Sequence, residues 1–367
     1  MKLANGSTLL GWASVLVYAS VTIAAPVTTV PNFIVFGNSL SDTGKATDAM
    51  DREGYFGGRA SNSYMWNEYT AKLLGMNLIN LAYGGATTNN DISPALNSDN
   101  TTIPSFHDQV VSWINDNPNP SQFHLNNDVI EIEIGGNDIL HSVTDLVTGT
   151  LDLTKFAAEL AKSIATDIQL LAGVGYKNIN LWNLPAVDKT PIVTSLNAGQ
   201  FIKPVVEAIN AATKSYVDAV ISSNVAQTKG IHIFDLNGLM SLALQPSALA
   251  ALDVTDSTTA CYTEGSDGNP SICSNPDQHF FFDIVHPASR MHYLWGVAAA
   301  VLTQDPNATI DINKVISIAE NFDIAQSDRQ NNIIVDGITP SESEVVPAPS
   351  ETDDYTTSPT SVPGKCH

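Results

Sequence analysis

Phe33-Ile34-Val35-Phe36 is a run of four bulky apolar residues halted by Gly37. Four more short runs of this kind recur down the chain: Asn77-Leu78-Ile79-Asn80-Leu81-Ala82, Val129-Ile130-Glu131-Ile132-Glu133-Ile134, Lys177-Asn178-Ile179-Asn180-Leu181-Trp182 and Ile231-His232-Ile233-Phe234. Each is rich in β-branched or aromatic residues and bounded by breakers, so each reads as a strand. Longer stretches with helical spacing lie between them, at 63–74, 105–115, 155–172 and 196–224, and a last one runs from Ala288 to Leu302 behind Pro287. Strands alternating with helices imply a parallel sheet covered on both faces. The expected fold class is therefore α/β, a three-layer α/β/α sandwich forming one domain from about Asn32 to about Asn321. Splitting it would leave half-sheets.

The segments flanking this body have another character. Lys2, the uncharged run from Leu9 to Ile23, and the small residues Thr22 and Ala24 read as a secretion signal over residues 1–24. That run is shorter than the roughly 20 residues a membrane span needs. The folded domain is expected over 25–335. Residues 336–367, rich in Ser, Thr, Pro, Glu and Asp, read as a disordered tail, with no apolar segment behind it to signal a lipid anchor. The expected location is extracellular, with no stable membrane anchor.

Charge limits the partners. The 367 residues hold 16 Lys and Arg against 38 Asp and Glu, a net charge of −22. Such a surface repels phosphate backbones and anionic lipid headgroups, which argues against nucleic acid as a partner. In a secreted chain the Gly/Ser/Asp-rich stretch between Cys261 and Cys273 suits closure by a local disulfide, leaving Cys366 as the odd thiol. The sequons at Asn100 and Asn307 become meaningful in the same compartment.

In open parallel sheets, functional loops gather at the carboxyl ends of the strands. Three such loops here carry Gly37-Asn38-Ser39-Leu40-Ser41-Asp42, Tyr83-Gly84-Gly85-Ala86-Thr87-Thr88 and Gly135-Gly136-Asn137-Asp138, and Asp283-Ile284-Val285-His286 precedes the last helix. Acyl transfer needs a hydroxyl nucleophile, a base, a carboxylate to orient the base, and donors for the developing oxyanion. Ser39, His286 and Asp283 can supply the first three. The Ser39 and Gly85 amides and the Asn137 side chain can supply the donors. Each piece alone also has a plainer reading: a helix cap for Ser39, turns for the glycine pairs, and a solvated loop for Asp-x-x-His.

Taken in order, Gly37-Asn38-Ser39-Leu40-Ser41, Asn80 to Gly85, Gly136-Asn137-Asp138 and Asp283-x-x-His286 resemble the four blocks of the SGNH, or GDSL-type, hydrolases. The segments Gly58-Arg59-Ala60-Ser61-Asn62, Glu68-Tyr69 and Tyr83 to Asn90 further resemble the branch containing secreted fungal carbohydrate acetylesterases. The resemblance implies a flavodoxin-like five-stranded sheet of order 2-1-3-4-5. It also implies Ser39 as nucleophile, His286 as base, Asp283 as its orienter, and Ser39, Gly85 and Asn137 as the oxyanion hole. Two departures stand out. Asn38 occupies the place of the family's usual Asp, which keeps an acceptor oxygen but removes a charge. Ala60 stands where an aromatic is usual, which implies a more open cleft.

No cofactor or metal is expected. There is no His-Glu-x-x-His, and His286 and His292 are six apart, off a common helical face. The reading is a secreted serine esterase acting on small acylated substrates, above all acetylated plant cell-wall oligosaccharides. Its rivals are a GDSL-type lipase or phospholipase on longer acyl chains and a non-catalytic carbohydrate-binding protein on the same fold.

Overall fold

The computed structural model describes residues 29–46, 52–223, 230–265 and 269–336. The secretion signal expected over 1–24, the tail expected over 336–367 (Asp336 apart) and Cys366 lie outside the described residues. Five parallel strands form the central sheet: β1 (Asn32–Gly37), β2 (Asn77–Asn80), β3 (Val129–Glu133), β4 (Asn178–Trp182) and β5 (Gly230–Phe234), in the order β2-β1-β3-β4-β5. The three-layer α/β/α architecture and the strand order match the expectation.

Side chains alternate across the sheet. Phe33, Val35, Val129, Trp182 and Phe234 pack on one face, and Ile34, Phe36, Ile130, Ile132, Ile179, Leu181 and Ile231 on the other. Helix α1 (Trp66–Leu74) covers the first face. On the opposite face α2 (Phe106–Asp116) follows β2, with Ser105 and Asp108 exchanging cap hydrogen bonds at its start. The short α3 (Gln122–Asn127) leads into β3, and α4 (Gly136–Thr148) leaves it. Next comes the long α5 (Leu153–Val174), capped by Asp152. The helix expected over 196–224 is α7 (Gly199–Ser222), and a separate short helix, α6 (Pro191–Ser195), precedes it. Asn197 between them has φ +53, a left-handed conformation that interrupts helical hydrogen bonding.

After β5, α8 (Leu236–Ala243) and α9 (Pro246–Ala251) lead to four short strands outside the main sheet: β6 (Asp256–Ala260), β7 (Tyr262–Glu264), β8 (Pro270–Ile272) and β9 (His279–Phe281). Strand β6 pairs with β9, and β7 with β8. Cys261 and Cys273 are joined by a disulfide at the open end of the β7–β8 hairpin. Helix α10 (Ser289–Gln304) then returns to the first face, before α11 (Ile312–Asn321) and the short α12 (Ile333–Asp336). Among the described residues, no helix is long and apolar enough to cross a membrane.

Helices α1 and α10 pack closely. Trp66 stacks on Trp295 at 4.5 Å between centroids, and Tyr69 on Tyr293 at 4.4 Å. The approach depends on Gly296, where a Cβ would lie 2.6 Å from Tyr69 Cβ and 2.7 Å from the Trp66 carbonyl oxygen. This contact fixes the start of α10, and with it the loop carrying Asp283 and His286, against the end of β1.

Candidate active site

Strand β1 ends at Gly37, where a Cβ would sit 2.4 Å from the Glu133 carbonyl oxygen, so only glycine passes. The chain then turns sharply: the amides of Ser41 and Asp42 donate to the Asn38 carbonyl, and Asn38 Oδ1 accepts the Leu40 amide at 2.9 Å. Ser39 stands at the tip of this turn, with little exposure. The Asp42 carboxylate accepts four backbone amides, from Gly44, Lys45, Ala46 and, at 2.8 Å, Gly84. The loop after β2 is thereby tied to the loop after β1.

The β3 loop is tied in the same manner. Gly135 has φ +109, which lets the chain swing from the strand directly into α4, so Asn137 sits in a helix's first turn and not in the loop expected from Gly135-Gly136. Asp138 Oδ2 accepts the Thr88 amide at 2.9 Å and its hydroxyl at 3.1 Å. Asn137 Nδ2 donates to the Ala86 carbonyl at 2.8 Å, leaving the second amide hydrogen. Among the described residues, no hydrogen bond uses the backbone N–H of Ser39 or of Gly85. Ser39, Gly85, Asn137 and His286 together line a cavity of about 290 Å³.

Asp283 and His286 arrive from the other side, on the loop between β9 and α10. The Ser39 hydroxyl lies 2.7 Å from His286 Nε2, and His286 Nδ1 lies 2.7 Å from Asp283 Oδ2. Asp283 Oδ1 accepts the amides of Val285 at 2.8 Å and His286 at 2.7 Å. Its Oδ2 also accepts the Tyr55 hydroxyl at 2.9 Å. Burial pushes the Asp283 carboxyl up, but the His286 charge, the His286 imidazole and the amides of His286 and Val285 outweigh it, and the group ends below its ordinary value. A hydroxyl bonded to an imidazole that is bonded to a carboxylate can pass a proton to Nε2 while Nδ1–H stays on the carboxylate.

The three residues expected to work together are therefore neighbours, and Gly85 and Asn137 border the same space. Ala60 is the exception among the substrate-related expectations. It is 1% exposed and lines neither cavity beside Ser39, so its small size opens no cleft. The sequons fall on the surface: Asn100 is exposed at φ +65 in a turn next to Leu96, Asn97 and Ser98, which line the wider cavity, and Asn307 is exposed after α10.

Three groups were not evident from the sequence. Tyr55, 228 positions from Asp283, gave no signal beyond being an aromatic. Glu131 and Glu133 alternate with isoleucine, a pattern that normally sends the polar face to water; both are buried here. Glu131 Oε1 and Oε2 accept from Asn180 Nδ2 and Trp182 Nε1, each at 2.7 Å, and burial still raises it to about 8. Glu133 Oε1 accepts from Asn38 Nδ2 at 3.3 Å, its Oε2 has no partner among the described residues, and burial raises it to about 7. The contact suits Asn38, whose amide can donate to Glu133 whether or not Glu133 is ionised, whereas a carboxylate at 38 could only share the single Glu133 proton and would repel it once that proton is lost.

A second cavity, of about 50 Å³, also borders Ser39, Asn137 and His286. Its walls are almost entirely apolar, from Leu140, Val187, Met240, Met291 and Trp295.

Comparison with known proteins identifies the family. Residues 33–298 match the family described as GDSL-like lipase/acylhydrolase. Among curated proteins, an acetylesterase of Thermothelomyces thermophilus is 26% identical over 285 residues, covering 73% of this chain and 86% of that protein. The thermolabile hemolysin of Vibrio parahaemolyticus is 24% identical over 274 residues, covering 71% of this chain and 60% of the hemolysin. The secreted effector protein SseJ of Salmonella typhimurium is 23% identical, covering 73% of this chain and 62% of the effector. Among solved structures, a carbohydrate acetylesterase from Sinorhizobium meliloti aligns with TM-score 0.40 and 14% identity, covering 74% of this chain and 96% of that one. The chain belongs to the GDSL-like lipase/acylhydrolase family of carboxylic ester hydrolases.

Proposed function

We propose that this chain is a secreted serine esterase that removes short acyl groups, chiefly acetyl, from plant cell-wall oligosaccharides. The observation that carries the reading is the hydrogen-bonded series Ser39–His286–Asp283, with 2.7 Å at each link, bordering a cavity of about 50 Å³ and one of about 290 Å³. Ser39 Oγ attacks the ester carbonyl while its proton passes to His286 Nε2, and Asp283 holds the imidazolium. The carbonyl oxygen becomes an oxyanion, received by the Ser39 and Gly85 amides and by Asn137 Nδ2. Collapse expels the alcohol, which takes the proton from His286. Water, deprotonated by the same imidazole, then releases the acid and restores the Ser39 hydroxyl.

The cavities supply the specificity. About 50 Å³ of apolar space, against roughly 10–15 Å³ on the same measure for one water, suits a group of a few heavy atoms, so this side takes the acyl group. The wider cavity, about 290 Å³ and bordered by Arg52, Asn97 and Ser98, takes the sugar alcohol. Secretion is supported by the signal-like residues 1–24 and by the Cys261–Cys273 disulfide. The acetylesterase from T. thermophilus is consistent with the acyl preference.

A second reading, a lipase on longer chains, draws on Met240 and Met291 in the narrow cavity, whose flexible side chains can yield to a larger acyl group. Acetate release from acetylated xylo-oligosaccharides, measured against fatty-acid release from triglyceride, separates the two. Wild type is expected to favour acetate, and Ser39→Ala to lose at least about 10³-fold in rate with its fold intact. A folded Ser39→Ala protein with full activity defeats the nucleophile assignment. A rate that rises with chain length across nitrophenyl esters selects the lipase reading.

A further inference from the structure

Tyr55 takes no part in the reaction as drawn, yet it reaches the middle of the site. Its hydroxyl donates to Asp283 Oδ2, the same oxygen that holds His286 Nδ1 at 2.7 Å. The segment bearing it is clamped. Gly54 lies so close to the hairpin that a Cβ there would be 2.7 Å from Ile272 Cδ1. The Tyr55 ring packs at 4.7 Å from Tyr262 and edge-on at 5.0 Å from Phe282, in a cluster with the Cys261–Cys273 disulfide. Arg52, one turn earlier, pairs with Glu264 of β7.

We infer that Tyr55 is a positioning residue for the base, its hydroxyl drawing charge from Asp283 and so setting the pH at which His286 becomes free to accept a proton. This rests on the esterase reading above. A carboxylate oxygen shared between a phenol and an imidazole gives each a weaker hold than it would give one alone. Without the phenol, Oδ2 turns its whole charge to His286, the imidazolium gains stability, and the proton stays on to a higher pH. The other charged or titratable groups around the pair are Arg52 on the same segment, Tyr262 and Glu264 on β7, Glu133 on β3 and His292 on α10. Among the described side chains, only Tyr55 and His286 donate to Asp283.

The test compares pH–rate profiles on a soluble nitrophenyl acetate for wild type, Tyr55→Phe, Tyr262→Phe and His286→Ala. Tyr55→Phe keeps the ring packing and removes one hydroxyl, so KM should hold while the acid limb of kcat moves up by about half a pH unit or more. Tyr262→Phe removes a hydroxyl from the same aromatic cluster that does not touch Asp283, and its limb should stay with wild type. An unmoved limb in Tyr55→Phe overturns the inference, as does an equal shift in Tyr262→Phe. Retained activity in His286→Ala overturns instead the assignment of the base, and the role of Tyr55 with it.

Discussion

The turn carrying Ser39 and the loop carrying Asp283 and His286 meet across 2.7 Å, yet they are held by different means. The Ser39 side stands on the central sheet, and its loops are laced together by backbone amides donating to Asp42 and Asp138. It also holds carboxyl groups that burial leaves short of donors. Glu133 Oε2 and Asp138 Oδ1 have no partner among the described residues, and both groups are pushed up to about 7. The Asp283 side lies off the sheet, on short strands and a disulfide-closed hairpin, but its carboxylate finds donors for both oxygens and stays below its ordinary value. Burial is common to both sides. The His286 charge, together with the donors, lets Asp283 stay ionised, whereas Glu131, with donors on both oxygens, is still pushed up to about 8 by burial.

Three perturbations should separate the two sides. The largest is removal of the hairpin closure: Cys261→Ser with Cys273→Ser opens a loop of sequence separation 12, which should cost about 3 kcal/mol if it unfolds with the rest. The contrast predicts that activity is lost on heating before the far-UV signal of the sheet. A single coincident transition would show that the hairpin and sheet melt as one unit.

Next is Asn38→Asp, which sets a second carboxyl against Glu133 and should destabilise the folded state by about 2 kcal/mol, most strongly above pH 7. Adding Glu133→Gln should recover most of that loss, because the glutamine amide can donate to the introduced carboxylate. Additive losses in the double variant, measured by denaturant unfolding, would mean that the two positions do not interact.

The third is pH itself. Glu131, Glu133 and Asp138 keep protons in the folded state that an unfolded chain releases above about pH 4.5, so stability should fall as pH rises toward 7 or 8. His292, fully buried and held down to about 3, works the other way: its contribution is present above about pH 6.5 and lost as pH falls toward 3. The thermal midpoint should therefore decline as pH rises from about 5 toward 8, where three carboxyls act against one histidine. A midpoint that climbs steadily to pH 8 would contradict the buried carboxyl assignments.

Much of the sheet was legible because short β-branched runs between breakers have few other uses. The runs at Phe33, Asn77, Val129, Lys177 and Ile231 became β1 to β5 within one or two residues. The residues of the site were legible for a related reason: glycines, Asn137 and Asp283-x-x-His286 cluster where strands end. What stayed hidden depends on distant partners. The buried state of Glu131 and Glu133 follows from β3 lying between β1 and β4, with helices above and below, which alternation along one strand cannot reveal. Tyr55 acquires its role only because β7 and β8 fold back upon it, and those strands are too short and polar to announce themselves. Ala60 misled because a gap in a pattern says nothing about which way the position faces.

Ser39 and His286 are separated by 247 positions, almost the full span of the folded body. A chain emerging from the ribosome completes all five sheet strands while the base is still unmade, and closing so long a loop comes at the end of folding. The assembled hydroxyl–imidazole contact is thus a record of finished folding. In refolding from denaturant, capture of a serine-directed phosphonate should trail the recovery of secondary structure, and a chain arrested before Asp283 should stay unlabelled while exposing the same serine.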